Sequence, residues 1–245
     1  MINLKNYIIE GIFDTDEDTI DESIKDQIKQ FLKDNFGGAS LCKISDKLNA
    51  DGKYEVSSSK NIKVKNYKIT SLTNGLFIWT TVDGDFSCRY CDSLISLEGA
   101  PKEVSGIFYC DYCDSLTSLK GSPEKVGDAF VCDYCPLLTS LEGASKEVRG
   151  NFSCYCCNSL TSLKGSPEEV GRDFSCGSCN SLTSLEGAPK KVGRHFYCYD
   201  CKSLKSLKGL PKKIGGDFNC SDNDMKFTKN DIKKVSNVKG NIMVW

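Results

Sequence analysis

The sequence predicts a mainly β solenoid of the α/β type, a right-handed, curved stack of short parallel strands with an N-terminal helical cap. Three observations predict it. A 22-residue pattern occurs seven times, with Phe at 86, 108, 130, 152, 174, 196 and 218. Leu, Val and two Cys recur in step with Phe. The pattern degenerates at both ends, as expected of terminal coils that must cover an open stack.

The domain boundaries follow from where this pattern begins. Residues 1–61 are predicted to form the cap, because apolar residues recur at helical spacing up to Gly37 and Gly38. Two short strands, 41–45 and 54–57, are predicted to form a hairpin. Residues 62–245 are predicted to form the solenoid of about eight coils, with regular repeats over 84–237.

The predicted strand of each coil lies around Phe-x-Cys. Strand side chains alternate between the two faces, so Phe and the first Cys point inward. Burying four large apolar residues contributes roughly 6–12 kcal/mol. Ordering the backbone of one copy costs on the order of 20–40 kcal/mol. A single coil is therefore unstable alone and requires stacked neighbours.

The residue after the second Leu alternates in charge along the chain, through Glu98, Lys120, Glu142, Lys164, Glu186 and Lys208. In a stack, opposite charges on neighbouring strands stabilise and like charges destabilise. A second column beginning at Lys102 shows the same trend but fails at Lys212. The alternation predicts that the coils stack in register.

The Cys-x-x-Cys pairs admit three interpretations. Their spacing, as in Cys88-x-x-Cys91 followed by Cys110-x-x-Cys113, fits a zinc site. Disulfides between coils are disfavoured, because strands lie about 4.8 Å apart and bridged Cβ atoms about 3.8 Å. The second Cys is replaced by Asn223 in the last copy. Since Asn does not replace a thiolate ligand, buried free thiols are favoured, with zinc and oxidation as alternatives.

The motif Ser-Leu-Thr-Ser-Leu-x-Gly-x-Pro-x-x-Val-Gly-x-x-Phe-x-Cys at 159–176 resembles short leucine-rich repeats of bacterial and bacteriophage proteins, including the Treponema-type subclass. The resemblance covers about 62–245 and implies a leucine-rich-repeat-like solenoid that binds proteins. It also implies a structural ladder in which Cys or Asn side chains bond the backbone of neighbouring coils. Its members are Cys88, Cys91, Cys110, Cys113, Cys132, Cys135, Cys154, Cys157, Cys176, Cys179, Cys198, Cys201, Cys220 and Asn223.

The strand positions that point out of the core vary between copies, and they indicate a partner-binding concave face. Tyrosine is enriched there, and it is over-represented at protein interfaces. The candidate residues are Tyr109, Asp111, Asp133, Tyr155, Tyr197, Tyr199 and His195. Tyr90, Tyr112 and Tyr134 could instead form a stacked structural column.

Composition argues against several other functions. The formal net charge of −1 disfavours nucleic acid as a partner, and no apolar run is long enough for a membrane helix. With one histidine, and glycines that recur as turn residues, no catalytic, metal or cofactor site is expected. We expect a monomer or weak oligomer that binds a protein in the cytoplasm. If the chain is phage-encoded, the compartment would be that of the bacterial host, or the chain would be packaged in the virion.

Two rival functions stay open from the sequence, a zinc-stapled array and a structural internal virion protein. Residues 4–10 are weakly similar to capsid-targeting peptides of tailed phages, so residues 1–13 are a candidate targeting segment.

Overall fold

A computed structural model describes residues 17–244, with side chains described from residue 21. Helix α1 spans Glu17–Asn35, a 3-10 turn spans Ala39–Leu41, and helix α2 spans Lys229–Val235. The other regular elements of the described chain are twenty short strands in two sheets of ten. The N-terminal helix is therefore confirmed, whereas the candidate targeting segment at 1–13 lies outside the described residues.

The two sheets are named here after the residue that recurs in each. The Phe sheet contains, from one edge to the other, β1 (Phe36–Gly37), β4 (Ile62–Val64), β6 (Phe86–Ser87), β8 (Phe108–Tyr109), β10 (Phe130–Val131), β12 (Phe152–Ser153), β14 (Phe174–Ser175), β16 (Phe196–Tyr197), β18 (Phe218–Asn219) and β20 (Ile242–Met243). The Val sheet contains β2 (Cys42–Ile44), β3 (Tyr54–Ser58), β5 (Phe77–Val82), β7 (Glu103–Val104), β9 (Lys125–Val126), β11 (Glu147–Val148), β13 (Glu169–Val170), β15 (Lys191–Val192), β17 (Lys213–Ile214) and β19 (Asn237–Val238).

The chain passes from a Val strand to a Phe strand in each of nine coils, one more than the roughly eight expected. The additional coil arises because β3 pairs in parallel with β5, and β4 with β6. Strand β3 is also the second strand of the predicted hairpin, since it pairs antiparallel with β2. The second sheet was not predicted, because its strands are only two residues long in the regular coils.

The coils stack in register, with each Phe aligned to the Phe of the next coil. The Phe rings from Phe86 to Phe218 are fully buried and lie 5.1–5.8 Å apart between centroids. The Leu residues of the regular coils, and the Val that Ile214 replaces in one of them, complete the core, apart from Leu207, which is partly buried. The predicted inward positions of Phe and the first Cys are confirmed.

The corner after the second Leu requires glycine, as Gly165 illustrates. Its φ of +96° lies in the left-handed region, and a Cβ there would collide with the carbonyl oxygen of Leu141. Glycine alone provides both the conformation and the close approach of one coil to the next.

Helix α1 covers the N-terminal end of the core. Ile28 and Leu32 are buried, and Phe31 packs 5.9 Å from Phe77 between ring centroids. Next along the chain, Phe36 lies 5.4 Å from Trp79. In addition, β1 pairs antiparallel with β4, and β2 pairs antiparallel with β3, so both strands of the first coil are covered. The first coil is thus closed both over its core and along its edges.

The cysteines form two ladders of hydrogen bonds that run in opposite directions. From Cys88 to Cys154, the first Sγ of each coil donates to a carbonyl of the following coil at 3.3–3.4 Å. From Cys113 to Cys201, the second Sγ donates to the carbonyl of the first Cys in the preceding coil at 3.1–3.3 Å. The thiols therefore satisfy backbone carbonyls inside an apolar core.

Asn223 continues the second ladder where Cys is absent. Its Nδ2 donates to the carbonyl of Cys198 at 3.1 Å, and its Oδ1 accepts from the N–H of Cys201 at 2.7 Å. At the other end, Asn66 donates to Asn35 of helix α1 at 2.8 Å. The exchange of Cys for Asn at this position is thus explained by hydrogen bonding.

Burial keeps these thiols protonated. It raises the pKa of Cys91, Cys113 and Cys201 from 9.0 to about 12, because a thiolate is poorly solvated in the core. All fifteen cysteines are free, and only Cys42 and Cys156 are partly exposed.

The alternating charges form ion pairs between stacked coils. Lys120 lies 2.7 Å from Glu98, Lys164 lies 2.6 Å from Glu142, and Lys208 lies 2.6 Å from Glu186. In the second column, one pair forms, Lys190 with Glu168 at 2.8 Å. The pairs confirm in-register stacking, although their exposure makes them weak contributors to stability.

The ladder predicts that Cys113→Asn will be tolerated, whereas Cys113→Ala will not. Asparagine keeps a donor for the carbonyl of Cys88, and we expect a change in the free energy of unfolding within about 1 kcal/mol. Alanine leaves that buried carbonyl unpaired, which costs about 1–3 kcal/mol. Leu116→Ala provides a reference cavity mutation, expected to cost about 2–5 kcal/mol. Urea denaturation measures all three, and an Asn variant as unstable as Leu116→Ala would contradict the ladder.

Candidate functional site

The candidate site is the outer face of the Phe sheet, defined by four positions of each coil. They are the residue before Phe, the residue after Phe, and the two residues that follow the first Cys. Because the coils are in register, each position forms a column that runs along the stack. The seven candidate residues from the sequence all lie in these columns.

The last of the four columns has an unusual backbone. In seven successive coils the residue before the second Cys position is left-handed, with φ between +53° and +60°, although none is glycine. This column contains Tyr90, Tyr112, Tyr134, Cys156, Ser178, Asp200 and Asp222. An L-residue in this conformation costs about 1–2 kcal/mol, so the coil must impose the turn.

Three tyrosines at this turn stack on one another. The ring centroids of Tyr90 and Tyr112 are 4.9 Å apart, and those of Tyr112 and Tyr134 are 4.6 Å apart, with nearly parallel planes. The stacked column considered from the sequence is therefore present. Tyr90 and Tyr134 are nevertheless 48% and 37% exposed, so the stack also belongs to the surface.

Arg89 is held at one end of this stack. Its Nη2 and Nε donate to Oδ2 of Asp111 at 2.7 and 2.8 Å. Its guanidinium carbon lies 5.2 Å from the ring centroid of Tyr109, 5.6 Å from Tyr90 and 6.0 Å from Tyr112. Aromatic faces attract a cation at these distances, so the guanidinium is fixed by a carboxylate and three rings.

Asp111 has a different role from the one the sequence suggested. Its side chain is only 2% exposed, so it does not present a carboxylate to a partner. Its Oδ1 is buried without a hydrogen-bond partner among the described residues. Burial raises the pKa of Asp111, and the charge of Arg89 opposes that rise. Asp111 positions Arg89, which is the residue that reaches the surface.

Asp133 holds the next part of the face. Its Oδ1 accepts from the hydroxyl of Ser153 at 2.6 Å and from the N–H of Tyr155 at 2.7 Å. Burial raises its pKa, whereas these two donors oppose the rise. Asp133 therefore fixes the backbone at Tyr155.

Tyr155 and Tyr199 meet above Gly177, which lies between them in the same column. Their ring centroids are 6.0 Å apart, and a Cβ on Gly177 would lie 3.1 Å from the ring of Tyr199 and 3.3 Å from that of Tyr155. Tyr155 also packs edge-on against Tyr134 at 5.5 Å. One continuous aromatic cluster thus contains Tyr90, Tyr109, Tyr112, Tyr134, Tyr155, Tyr199 and Arg89.

Tyr197 and His195 pair with each other at 5.8 Å between ring centroids. Among the described residues, neither ring contacts the aromatic cluster. Nδ1 of His195 accepts from the backbone N–H of Asp217 at 2.9 Å, and the backbone N–H of His195 donates to Oδ1 of Asp173 at 3.0 Å. The histidine is therefore bound into the coil-to-coil contacts.

These contacts of His195 belong to a ladder that sequence reasoning missed. At the position before Phe, a side-chain acceptor binds the N–H of the equivalent residue in the next coil at 2.7–3.1 Å. The acceptors besides His195 and Asp173 are Asn61, Asp85, Asn151 and Asp217. Six of the nine coils have Asn or Asp at this position, and that recurrence in the sequence could have predicted the ladder.

No protein-family model, curated protein or solved structure matches this chain at a significant level. Throughout residues 17–244, no helix combines the length and hydropathy needed to cross a membrane. Within the same range, no three His, Cys, Asp or Glu side chains are arranged to hold a metal ion. The fold and the outer face are thus the basis for inferring function.

The left-handed turn predicts an unusual order of stability at Tyr112. Both Tyr112→Ala and Tyr112→Gly remove the stacked ring, but only glycine adopts the turn without strain. We expect the glycine variant to be more stable than the alanine variant by about 1 kcal/mol. Thr139, which is not left-handed, supplies the control, since there alanine should be the more stable. Thermal unfolding compares the four variants, and the same order at both positions would contradict the imposed turn.

Proposed function

We propose that this chain is a non-enzymatic scaffold that recognises a partner protein through the outer face of the Phe sheet. In this proposal the stack is a right-handed, curved, leucine-rich-repeat-like solenoid, and the face is concave. The observation that carries the proposal is the continuous cluster of six tyrosines around a fixed arginine.

The cluster has the physical properties of a binding surface. Tyrosine and arginine are the side chains that most often dominate the energy of protein interfaces. Arg89 is already held by Asp111 and three rings, and Tyr155 and Tyr199 are held over Gly177. Groups that are ordered before binding lose little conformational entropy on binding.

The internal chemistry supports recognition over catalysis. Thiols whose pKa is raised by burial, such as Cys113, are poor nucleophiles because the thiolate is the reactive form. His195 uses its Nδ1 to accept a backbone N–H. The raised pKa of Cys113 and the backbone contact of His195 Nδ1 therefore support a non-enzymatic role.

The same chemistry supports recognition over a zinc-stapled array. Zinc binds thiolates, so binding must release the thiol protons. Here the second thiol of each coil from Cys113 to Cys201 donates a hydrogen bond to a carbonyl, and zinc binding would have to break that bond. A bacteriophage origin, a site of action in the host cytoplasm and a role in the virion stay predictions from the sequence.

The proposal predicts the loss of one partner when three tyrosines are removed. We expect the triple variant Tyr109→Ala, Tyr155→Ala, Tyr199→Ala to capture the partner at least about tenfold less than the wild type in a quantitative pull-down from source cells. The matched control changes Glu103, Lys125 and Glu147 to Ser, since these exposed side chains lie on the Val sheet, outside the proposed binding face.

Circular dichroism establishes that both triple variants are folded. A protein captured by the wild type and the control but lost from the tyrosine variant supports the proposal. Equal capture by all three proteins, or equal loss from both variants, would contradict recognition through the outer face.

A further inference from the structure

The C-terminal coils carry a concentration of positive charge that the chain as a whole does not. Residues 202–239 contain ten lysines and four aspartates, a net charge of +6, whereas the whole chain has a formal net charge of −1. The lysines at 205, 212, 213, 229, 233, 234 and 239 are all exposed.

These lysines depart from the pairing of opposite charges seen between several coils, as Glu147 beside Glu169 also does on the Val sheet. On the Val sheet, Glu103 pairs with Lys125 at 2.9 Å and Glu169 with Lys191 at 2.7 Å. In the next coil, Lys213 lies directly opposite Lys191. Like charges in this position destabilise a sheet, so stacking does not explain them.

The neighbouring column departs from its pattern in the same coil and in the same direction. Glu124 and Glu168 alternate with lysine, but Lys212 follows Lys190. Among the described residues, no carboxylate lies within ion-pair distance of Lys212, Lys213 or Lys233. The charges of these three lysines are therefore not neutralised by the chain's own described side chains, whereas Lys202, Lys208 and Lys234 pair with carboxylates.

Lys212 lies at a surface groove of about 530 Å³. The groove runs between the end of helix α2 and strand β19, and its lining is Lys212, Lys233, Lys234, Val235, Ser236, Asn237 and Val238. Lysines in the last turn of α2 also favour its dipole. That account does not extend to Lys212 and Lys213, which precede the helix.

Among the described strands, β19 at this groove is an edge strand of the Val sheet. The N–H groups of Asn237 and Lys239 donate to Lys212 and Ile214 at 2.9 and 3.1 Å. Since successive residues of a strand direct their N–H and C=O to opposite sides, those of Val238 point away from β17. At the N-terminal end the first coil's strand β3 is covered by antiparallel β2, whereas no described strand covers β19.

We propose that this groove binds an acidic segment of a partner protein in an extended conformation, as an added strand on β19. Main-chain bonds to Val238 supply alignment, and Lys212, Lys213 and Lys233 contact the carboxylates of the segment. The groove lining contains no aromatic side chain, and aromatic stacking is what single-stranded nucleic acid binding sites use. An acidic peptide therefore fits better than nucleic acid, and the site is separate from the outer face of the Phe sheet.

Fluorescence anisotropy tests the proposal, with a short labelled peptide that alternates Glu and Val as the probe. We expect binding that weakens with salt and that falls at least about tenfold in the variant Lys212→Ser, Lys213→Ser, Lys233→Ser. The control variant Lys120→Ser, Lys125→Ser, Lys164→Ser has the same change in net charge. Because its lysines lie elsewhere and pair with glutamates, it should keep its affinity to within about twofold.

Val238→Pro separates strand addition from general charge attraction. Proline removes the outward N–H of an edge strand without removing a bond to β17, so peptide affinity should fall while the fold is retained. Unchanged peptide affinity in this variant overturns strand addition. Tighter binding of single-stranded DNA of matched length than of the peptide overturns the choice of partner.

A third outcome would assign the lysines a different role. Lysines on an exposed edge also prevent strands of different molecules from pairing. If the wild type binds no peptide and the Lys212/Lys213/Lys233 variant self-associates in analytical ultracentrifugation, the proposal is wrong and the lysines protect the edge.

Discussion

The backbone hydrogen bonds that join each coil to the next in register are the constraint on which the rest of the structure depends. Phe130 donates to Asn151 at 2.8 Å and Cys132 to Ser153 at 2.9 Å, and the same bonds recur coil after coil. Because this register aligns each residue with its own copy, the Phe stack, the tyrosine stack and the ion pairs all follow from it. A slip of one residue would turn every Phe toward solvent.

The thiols complete this constraint inside the core. Each coil has backbone carbonyls that point into the core, such as that of Cys88. A buried carbonyl without a hydrogen-bond donor lowers the stability of the fold. Cysteine is small and apolar enough to lie among Phe and Leu, yet it provides a weak donor. These thiols are consequently poor nucleophiles, because burial raises the pKa of thiols such as Cys201.

Much of the fold could be predicted because the constant 22-residue period shows which residues of neighbouring coils lie beside each other. The spacing of Phe, Cys and Leu predicted the stacking and the core, and the alternation of Glu98 with Lys120 predicted which charges meet. The Val sheet was missed because a two-residue strand has no periodicity of its own. The burial of Asp111 was missed because most residues of its column are half-buried, and only the position of Arg89 shows that the carboxylate is covered. Strand β19 is an edge because no described strand pairs with its outer side. A local sequence pattern does not show which strands lie beside it.

Thiol titration of the native and the unfolded protein, with zinc measured in the same samples, tests the central claim most directly. Without reductant or added metal, the account predicts that Cys42 and Cys156 react in the native state, because the other thirteen cysteines are buried. All fifteen thiols should react after unfolding, with no zinc released. Zinc released in proportion to the thiols, or fewer than fifteen thiols in the unfolded protein, would contradict a core in which protonated cysteines bond the backbone of neighbouring coils.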